Sequence, residues 1–148
     1  MFRSLYEKSA IFFKRFDSVV LFFLRAILAW GFFNVSIVKW EDMGAFAEWL
    51  ATMDIPMPLL ISYLTATIEI FGAILLVTGV LVRLTTLPLI VIMIGAIFFI
   101  HLENGFACSN NGVEIPLYYL IMLLVLLTQG GGKWSLEYLI FKKSDGSK

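Results

Sequence analysis

Two ionisable residues fall inside long apolar stretches of the chain: Arg25, in SVVLFFLRAILAWGFFNVSIV, and Glu69, in PLLISYLTATIEIFGAILLVTGVLV. A charge among so many apolar neighbours is kept only where it meets protein groups or a water-filled cavity, so each is a candidate for chemistry. Steps of three or four residues lead from Arg25 to Ala29, Phe32, Ser36 and Lys39, and from Glu69 to Thr65, Ala66, Gly72, Ala73, Gly79 and Arg83. Both stripes are smaller and more polar than the rest of their runs, and small residues let helices approach closely. Arg25 and Glu69 are therefore expected inside a helix bundle. Their depths differ by roughly 10 Å at about 1.5 Å per residue. Three roles are open: a direct or water-bridged Arg25–Glu69 pair that holds helix register, snorkelling of Arg25 to lipid headgroups, and a ligand or proton site.

A second polar group gathers at run ends. Lys39 closes the first run, His101 closes the third and Glu114 opens the fourth, with Glu103 and Cys108 between. These residues suit ordinary capping, Glu114 lying in a first helical turn. They equally suit an outward-facing pocket in which Lys39 and Glu114 bind a small polar head and His101 moves a proton. Cys108, the single cysteine, is either a tolerated thiol or a contact for a partner thiol or thiophilic metal. His101 and Cys108 supply two ligands at most, so no metal site is expected. One cysteine and one histidine also exclude an internal disulfide relay, iron–sulfur clusters and bis-histidine haem. Any redox centre is then borrowed, or is a diffusible molecule such as a quinone. Gly130-Gly131-Gly132-Lys133 follows no strand, so it reads as a helix terminator and not a phosphate loop.

The elements that position these residues follow from composition. The 148 residues are 60% hydrophobic and 15% charged, with mean hydropathy +0.91. A soluble domain carries about a quarter charged residues; so few charges could not cover a surface in water. Net charge is zero, which gives no reason to expect nucleic acid. Four apolar runs, at about 18–38, 58–82, 86–101 and 114–129, predict an all-α integral membrane four-helix bundle. The last two are short and call for local thinning or interfacial flanks. Arg83-Leu84-Thr85 reads as a tight turn, with Pro88 in the first turn of the third helix.

Lysine and arginine cluster before the first run and after the fourth, and Arg83 lies between the second and third, whereas the 40–57 loop is acidic and the 102–113 loop has neither cation. Both termini are therefore expected in the cytoplasm of a bacterial inner-membrane protein. Segments 2–16, 41–53 and 135–141 read as interfacial amphipathic helices: the first carries Phe12, Phe13 and Phe16, the second Met43, Phe46, Leu50 and Met53, and the third opens at the N-cap Ser135. Trp40, Trp49 and Trp134 suit an aromatic belt. The expected organisation is an N-terminal segment 1–17, a four-span domain 18–129 and a C-terminal segment 130–148. No cleavable signal peptide is expected.

From about Leu24 to Leu139 the chain resembles the DoxX family of small bacterial membrane proteins. The resemblance rests on the Arg25-to-Lys39 spacing, Ile55-Pro56-Met57-Pro58, and Glu69-Ile-Phe-Gly72 leading to Gly79-Val-Leu-Val-Arg83. It continues through the His101 loop, Gly112-Val-Glu114-Ile-Pro116-Leu-Tyr-Tyr, and an ending close to the family's G-x-G-[KR]-x-S-L-[DE] at Gly130–Glu137. It implies an inner-membrane four-helix bundle with Arg25, Lys39, Glu69, Arg83, His101 and Glu114 as polar lining; Cys108 is not carried over. It also implies an auxiliary subunit of a redox, thiol or metal-homeostasis system, including subunits of quinone-linked oxidoreductases, with a partner protein and a quinone-type pocket. Alternatively it implies a non-catalytic scaffold or maturation helper for a copper-binding or thiol-modified secreted peptide. No self-sufficient catalytic centre is visible, no covalent or metal cofactor is expected, and lipids and further copies of the chain are the remaining partners considered.

Overall fold

A computed structural model describes residue 7 and residues 12–145. Most of the amphipathic segment expected over 2–16 lies outside them. All regular structure among the described residues is helical. In chain order the elements are α1 (Asp17–Glu41), α2 (Met43–Ala51), α3 (Pro58–Thr78), α4 (Val82–Ala96), α5 (Glu114–Gln129) and α6 (Leu136–Asp145). A π-helical turn, Ile97–His101, and a 3-10 turn, Leu102–Asn104, extend α4, so that α1, α3 and Val82–Asn104 are each long and apolar enough to cross a membrane. At 16 residues α5 is shorter; it reaches about 24 Å against a hydrocarbon core of about 30 Å.

The four long helices form a ring in the order α1, α3, α4, α5, with α5 returning to α1. Cross-contacts show that neighbours run antiparallel. Arg25 meets Leu76 and Ser36 meets Ala66 between α1 and α3. Gly72 meets Leu89 between α3 and α4, and Gly31 meets Tyr119 between α1 and α5. Arg83 meets the end of α5 at Thr128, and His101 meets Asn111 beyond its start. The bundle thus has one end that carries the beginning of α1 and the start of α6, called here the terminal end, and one that carries α2 and the 102–113 loop, called the loop end.

The core holds Leu28, Phe32, Leu76, Leu89, Leu123 and Leu126, all at most 2% exposed. The outside is as apolar as the inside: Trp30, Val91, Phe98 and Phe99 are each more than 60% exposed. Such a surface is stable only where the solvent is itself hydrocarbon.

The turn between α3 and α4 lies earlier than the sequence suggests. Arg83, Leu84 and Thr85 are helical, and the chain reverses over Gly79–Leu81, where Gly79 (φ 72°) and Leu81 (φ 48°) are left-handed. Pro88 accordingly sits inside α4, not in its first turn. Tertiary contacts decide this. Arg25 Nη1 donates to Leu76 O at 2.9 Å, and its Nη2 donates to Trp134 O at 2.5 Å. Glu137 N donates to Gly79 O at 3.1 Å, and Glu137 Oε2 accepts the Val82 N–H at 3.1 Å. The chain after α5 therefore clasps the reversal, satisfying the last carbonyls of α3 and the first donor of α4. The Ser135 N-cap is present, its Oγ accepting from Tyr138 N at 3.2 Å.

Gly79 is where this clasp is most exacting. Its left-handed φ suits glycine, and a Cβ there would run into Arg25 Nη1 and lie 2.7 Å from Ser135 Cβ. Gly79→Ala is expected to destabilise the fold by about 2 kcal/mol or more. The check is the thermal midpoint of the purified protein in detergent; a midpoint within error of the unaltered chain contradicts the clasp.

Candidate functional site

An α-helical side chain leans toward the N-terminus of its own helix. In α1 this sends Lys39 away from the loop end and down into the bundle. In antiparallel α3 it sends Glu69 up toward the loop end, so the two lean toward each other. Lys39 Nζ lies 2.7 Å from Glu69 Oε1 and 2.6 Å from Oε2, a hydrogen-bonded ion pair. Glu69 is 1% exposed and the Lys39 side chain 16%. Ser36 Oγ, donating to Ala66 O at 2.8 Å, locks α1 to α3 one turn away, and the Phe46 ring of α2 lies 5.0 Å from Lys39 Nζ.

The same lean separates Arg25 from Glu69. Arg25 lies opposite Leu76, two helical turns from Glu69, and points toward the terminal end. It is buried, and besides its two short hydrogen bonds Nη1 reaches Val77 O at 3.5 Å. Neither the Arg25–Glu69 pair nor snorkelling of Arg25 is present: its guanidinium caps the end of α3 from inside the bundle. Among the described residues its Nε is a buried side-chain polar atom without a partner.

Beside the Lys39–Glu69 pair opens a cavity of about 860 Å³, walled by all four long helices and by α2. Its wall is apolar almost throughout, with Phe32, Leu50, Ile68, Ile92, Ile115 and Tyr119 among the lining residues. Lys39 and Glu69 are the charged residues of the lining, and His101, Cys108 and Asn111 line it at the loop end. His101 Nδ1 is 2.7 Å from Asn111 O. A carbonyl only accepts, so Nδ1 carries the proton. The π turn over Ile97–His101 widens the end of α4 where His101 departs, and Asn104 Nδ2 donates to Ile100 O at 3.0 Å.

The remaining candidates lie elsewhere. Glu114 is engaged by its own loop, accepting the Cys108 N–H at 2.8 Å and the Tyr118 hydroxyl at 3.3 Å; it braces the segment that brings Cys108 to the cavity. Cys108 is a free, exposed thiol. Arg83 is at the terminal end, where its Nη2 donates to Thr128 O at 3.1 Å and it lines a separate depression with Ser18, Lys133 and Glu137. Lys39, Glu69 and His101 thus share one cavity, and Arg25, Arg83 and Glu114 hold helix ends and a loop. Among the described residues no group of three His, Cys, Asp or Glu side chains converges as a metal site.

Sequence reasoning missed Phe46, Asn111 and Tyr119 at this site. The amphipathic pattern of 41–53 marked Phe46 as apolar, but nothing local says that α2 folds over a cavity. For Tyr119 a signal exists in Gly31: a Cβ at Gly31 would overlap the Tyr119 hydroxyl.

The fold and site define a multi-pass helical membrane protein with a buried ion pair at the edge of an apolar cavity. The DoxX family model matches residues 20–102, more than half of the chain, and the chain belongs to that family. An uncharacterized protein of Haemophilus influenzae is 37% identical over 130 residues, covering 85% of this chain and 86% of its own. A second uncharacterized protein of that organism is 30% identical over 134 residues, covering 88% and 97%. An uncharacterized membrane protein of Mycobacterium tuberculosis is 29% identical over 100 residues, covering 61% of each chain. No solved structure matches the chain.

The ion pair generates an asymmetric prediction. Lys39→Met leaves the fully buried Glu69 without its partner and is expected to destabilise by about 3–5 kcal/mol, the range for breaking a buried pair. Glu69→Leu frees a partly exposed lysine and should be milder. The double variant Lys39→Met/Glu69→Leu should recover most of the loss, an apolar pair being a good substitute for a buried ionic one. Thermal midpoints in detergent measure all three; a double variant worse than either single one contradicts the pairing.

Proposed function

We propose that the protein is an auxiliary inner-membrane subunit of a redox system and that its cavity holds a quinone-type molecule. The observation that carries this is the Lys39–Glu69 pair at the edge of a large, otherwise apolar cavity. Ligand cavities are typically about 300–1,000 Å³, mostly apolar, with few polar groups that set orientation, and this one fits that description. A quinone matches the chemistry: its head carries carbonyl acceptors and the rest is hydrocarbon. An ammonium has three donors. Two serve Glu69, which leaves one for a carbonyl of the head. When bound, the quinone would supply the electron-accepting chemistry that this chain's own residues lack, and electrons would reach it from a partner protein. His101 fits a role in proton exchange at the loop end, with Nδ1 held by Asn111 O. The reading places both termini in the cytoplasm, supported by the distribution of positive charge.

Quinone binding is tested by extracting the protein from vesicles that contain a long-tailed ubiquinone. The expected outcome is near-stoichiometric quinone in the unaltered protein and about tenfold less with the double variant Lys39→Met/Glu69→Leu, which removes the donor without stranding a buried carboxylate. Protein that folds in these vesicles and retains no quinone speaks for the non-catalytic scaffold instead. Orientation is tested with the native Cys108, the only thiol in the chain. A membrane-impermeant maleimide is expected to label it on intact spheroplasts, and labelling only after lysis reverses the topology.

A further inference from the structure

Helices α3 and α4 leave the Gly79–Leu81 reversal together but do not stay together. At Gly72 the contact is tight: a Cβ there would lie 2.9 Å from Leu89 Cδ1. With these two residues level, antiparallel register puts Ile68 beside Met93, Thr65 beside Ala96 and Ile61 beside Ile100. Met93 is buried in the core and Ile68 packs against it, and nearer the loop end, at Gly95, the cavity reaches the seam. A Cβ built on Gly95 meets no heavy atom within 4 Å. Stripes at helical spacing on both helices, Ile61, Leu64 and Ile68 on α3 and Val91, Gly95 and Phe99 on α4, line the cavity from this side. Leu64, Val91 and Phe99 are at the same time 49%, 68% and 65% exposed. Residues that line the cavity and are also this exposed bound an opening. Across the bundle the α1–α5 seam is closed at Gly31, where the Tyr119 hydroxyl packs against the backbone and its ring meets Phe32 at 5.5 Å.

We infer that the cavity opens sideways into the bilayer between α3 and α4, and that this window seats the long apolar tail of a ligand whose polar head faces Lys39. The inference rests on the proposed reading of the cavity and narrows its ligand to an amphiphile that is already dissolved in the membrane. The window lies at the depth of the Lys39–Glu69 pair, so a head held by Lys39 leaves its tail level with the opening and in contact with hydrocarbon. Apolar side chains form the frame on both helices, which suits a tail and not a polar solute. A water-soluble ligand would instead arrive at the loop end, past His101, Cys108 and Asn111.

The test compares two probes on the unaltered protein and on Gly95→Trp, which fills the window from the open side of α4. One probe is a long-tailed ubiquinone carried in vesicles of phosphatidylethanolamine and phosphatidylglycerol. The other is the tail-less dimethoxy-methyl-benzoquinone added from water, its binding read by equilibrium dialysis. After extraction, quinone and phospholipid per protein are both quantified. The expected result is that Gly95→Trp retains about tenfold less long-tailed quinone and binds the tail-less probe within about twofold of the unaltered protein. Should Gly95→Trp lose both probes, Val91→Trp on the outer rim decides, with the same selective loss expected. Retention of the long-tailed quinone by both variants overturns the window. So does a loss of bound phospholipid, and not of quinone, in the variants relative to the unaltered protein. Failure of the unaltered protein to bind either quinone overturns the proposed function itself, an outcome separate from a failure of the window.

Discussion

A glutamate side chain at 1% exposure in the middle of an apolar bundle is costly to ionise without a cation beside it, and much of the arrangement at the loop end answers to that constraint. Lys39 meets it from the neighbouring helix through both carboxylate oxygens. The geometry needs no unusual backbone: antiparallel α1 and α3 each tilt their side chains toward their own N-termini, and those directions converge. The pair then draws the end of α1 onto α3, with Ser36 on Ala66 O holding the register and α2 folding back so that Phe46 covers the ammonium.

The cavity lies on the loop-end side of the tight contacts in the ring. Gly72 and Gly31 permit close approach at two points of the ring, to Leu89 and Tyr119 respectively. Past Gly72, toward the loop end, a Cβ on Gly95 of α4 would meet no heavy atom within 4 Å. There α4 ends in a π turn, Ile97–His101, which locally disturbs the regular helix ladder. Close packing at one end and divergence at the other leave a volume too large for the side chains to fill, edged by the ion pair.

The terminal end has the opposite character. Around the α3–α4 reversal Arg25 bonds the carbonyls of Leu76 and Trp134, and Glu137 bonds Gly79 O and the Val82 N–H. The serine and acidic residue that follow the glycine run are thus a clasp: Ser135 starts α6, and Glu137 reaches Val82. The terminal end is tied by hydrogen bonds across elements, whereas the loop end carries the cavity.

How much of this was legible in the chain differs by element. Apolar run length and hydropathy gave α1, α3 and α5 to within a few residues, because a helix crossing hydrocarbon must bond its own backbone. The small, polar stripes through Arg25 and Glu69 correctly identified the inward faces. The α3–α4 turn was misplaced because Arg83 looked like a loop charge; its guanidinium reaches the carbonyl of Thr128 while its backbone stays helical. The partner of Glu69 stays open in the sequence for a related reason. Depth along a helix is visible in sequence, but the direction in which a long side chain leans across to an antiparallel neighbour is not. The residues alone determined that there is a membrane-embedded helical bundle with charges facing inward, since both follow from the free energy of polar groups in hydrocarbon. Only the tertiary structure decided which charges meet, that Arg25 serves a helix end and Lys39 the carboxylate, and where the helices part to leave a cavity. Those outcomes depend on the relative position of four helices, which is set by contacts between residues as far apart in the chain as Arg25 and Trp134.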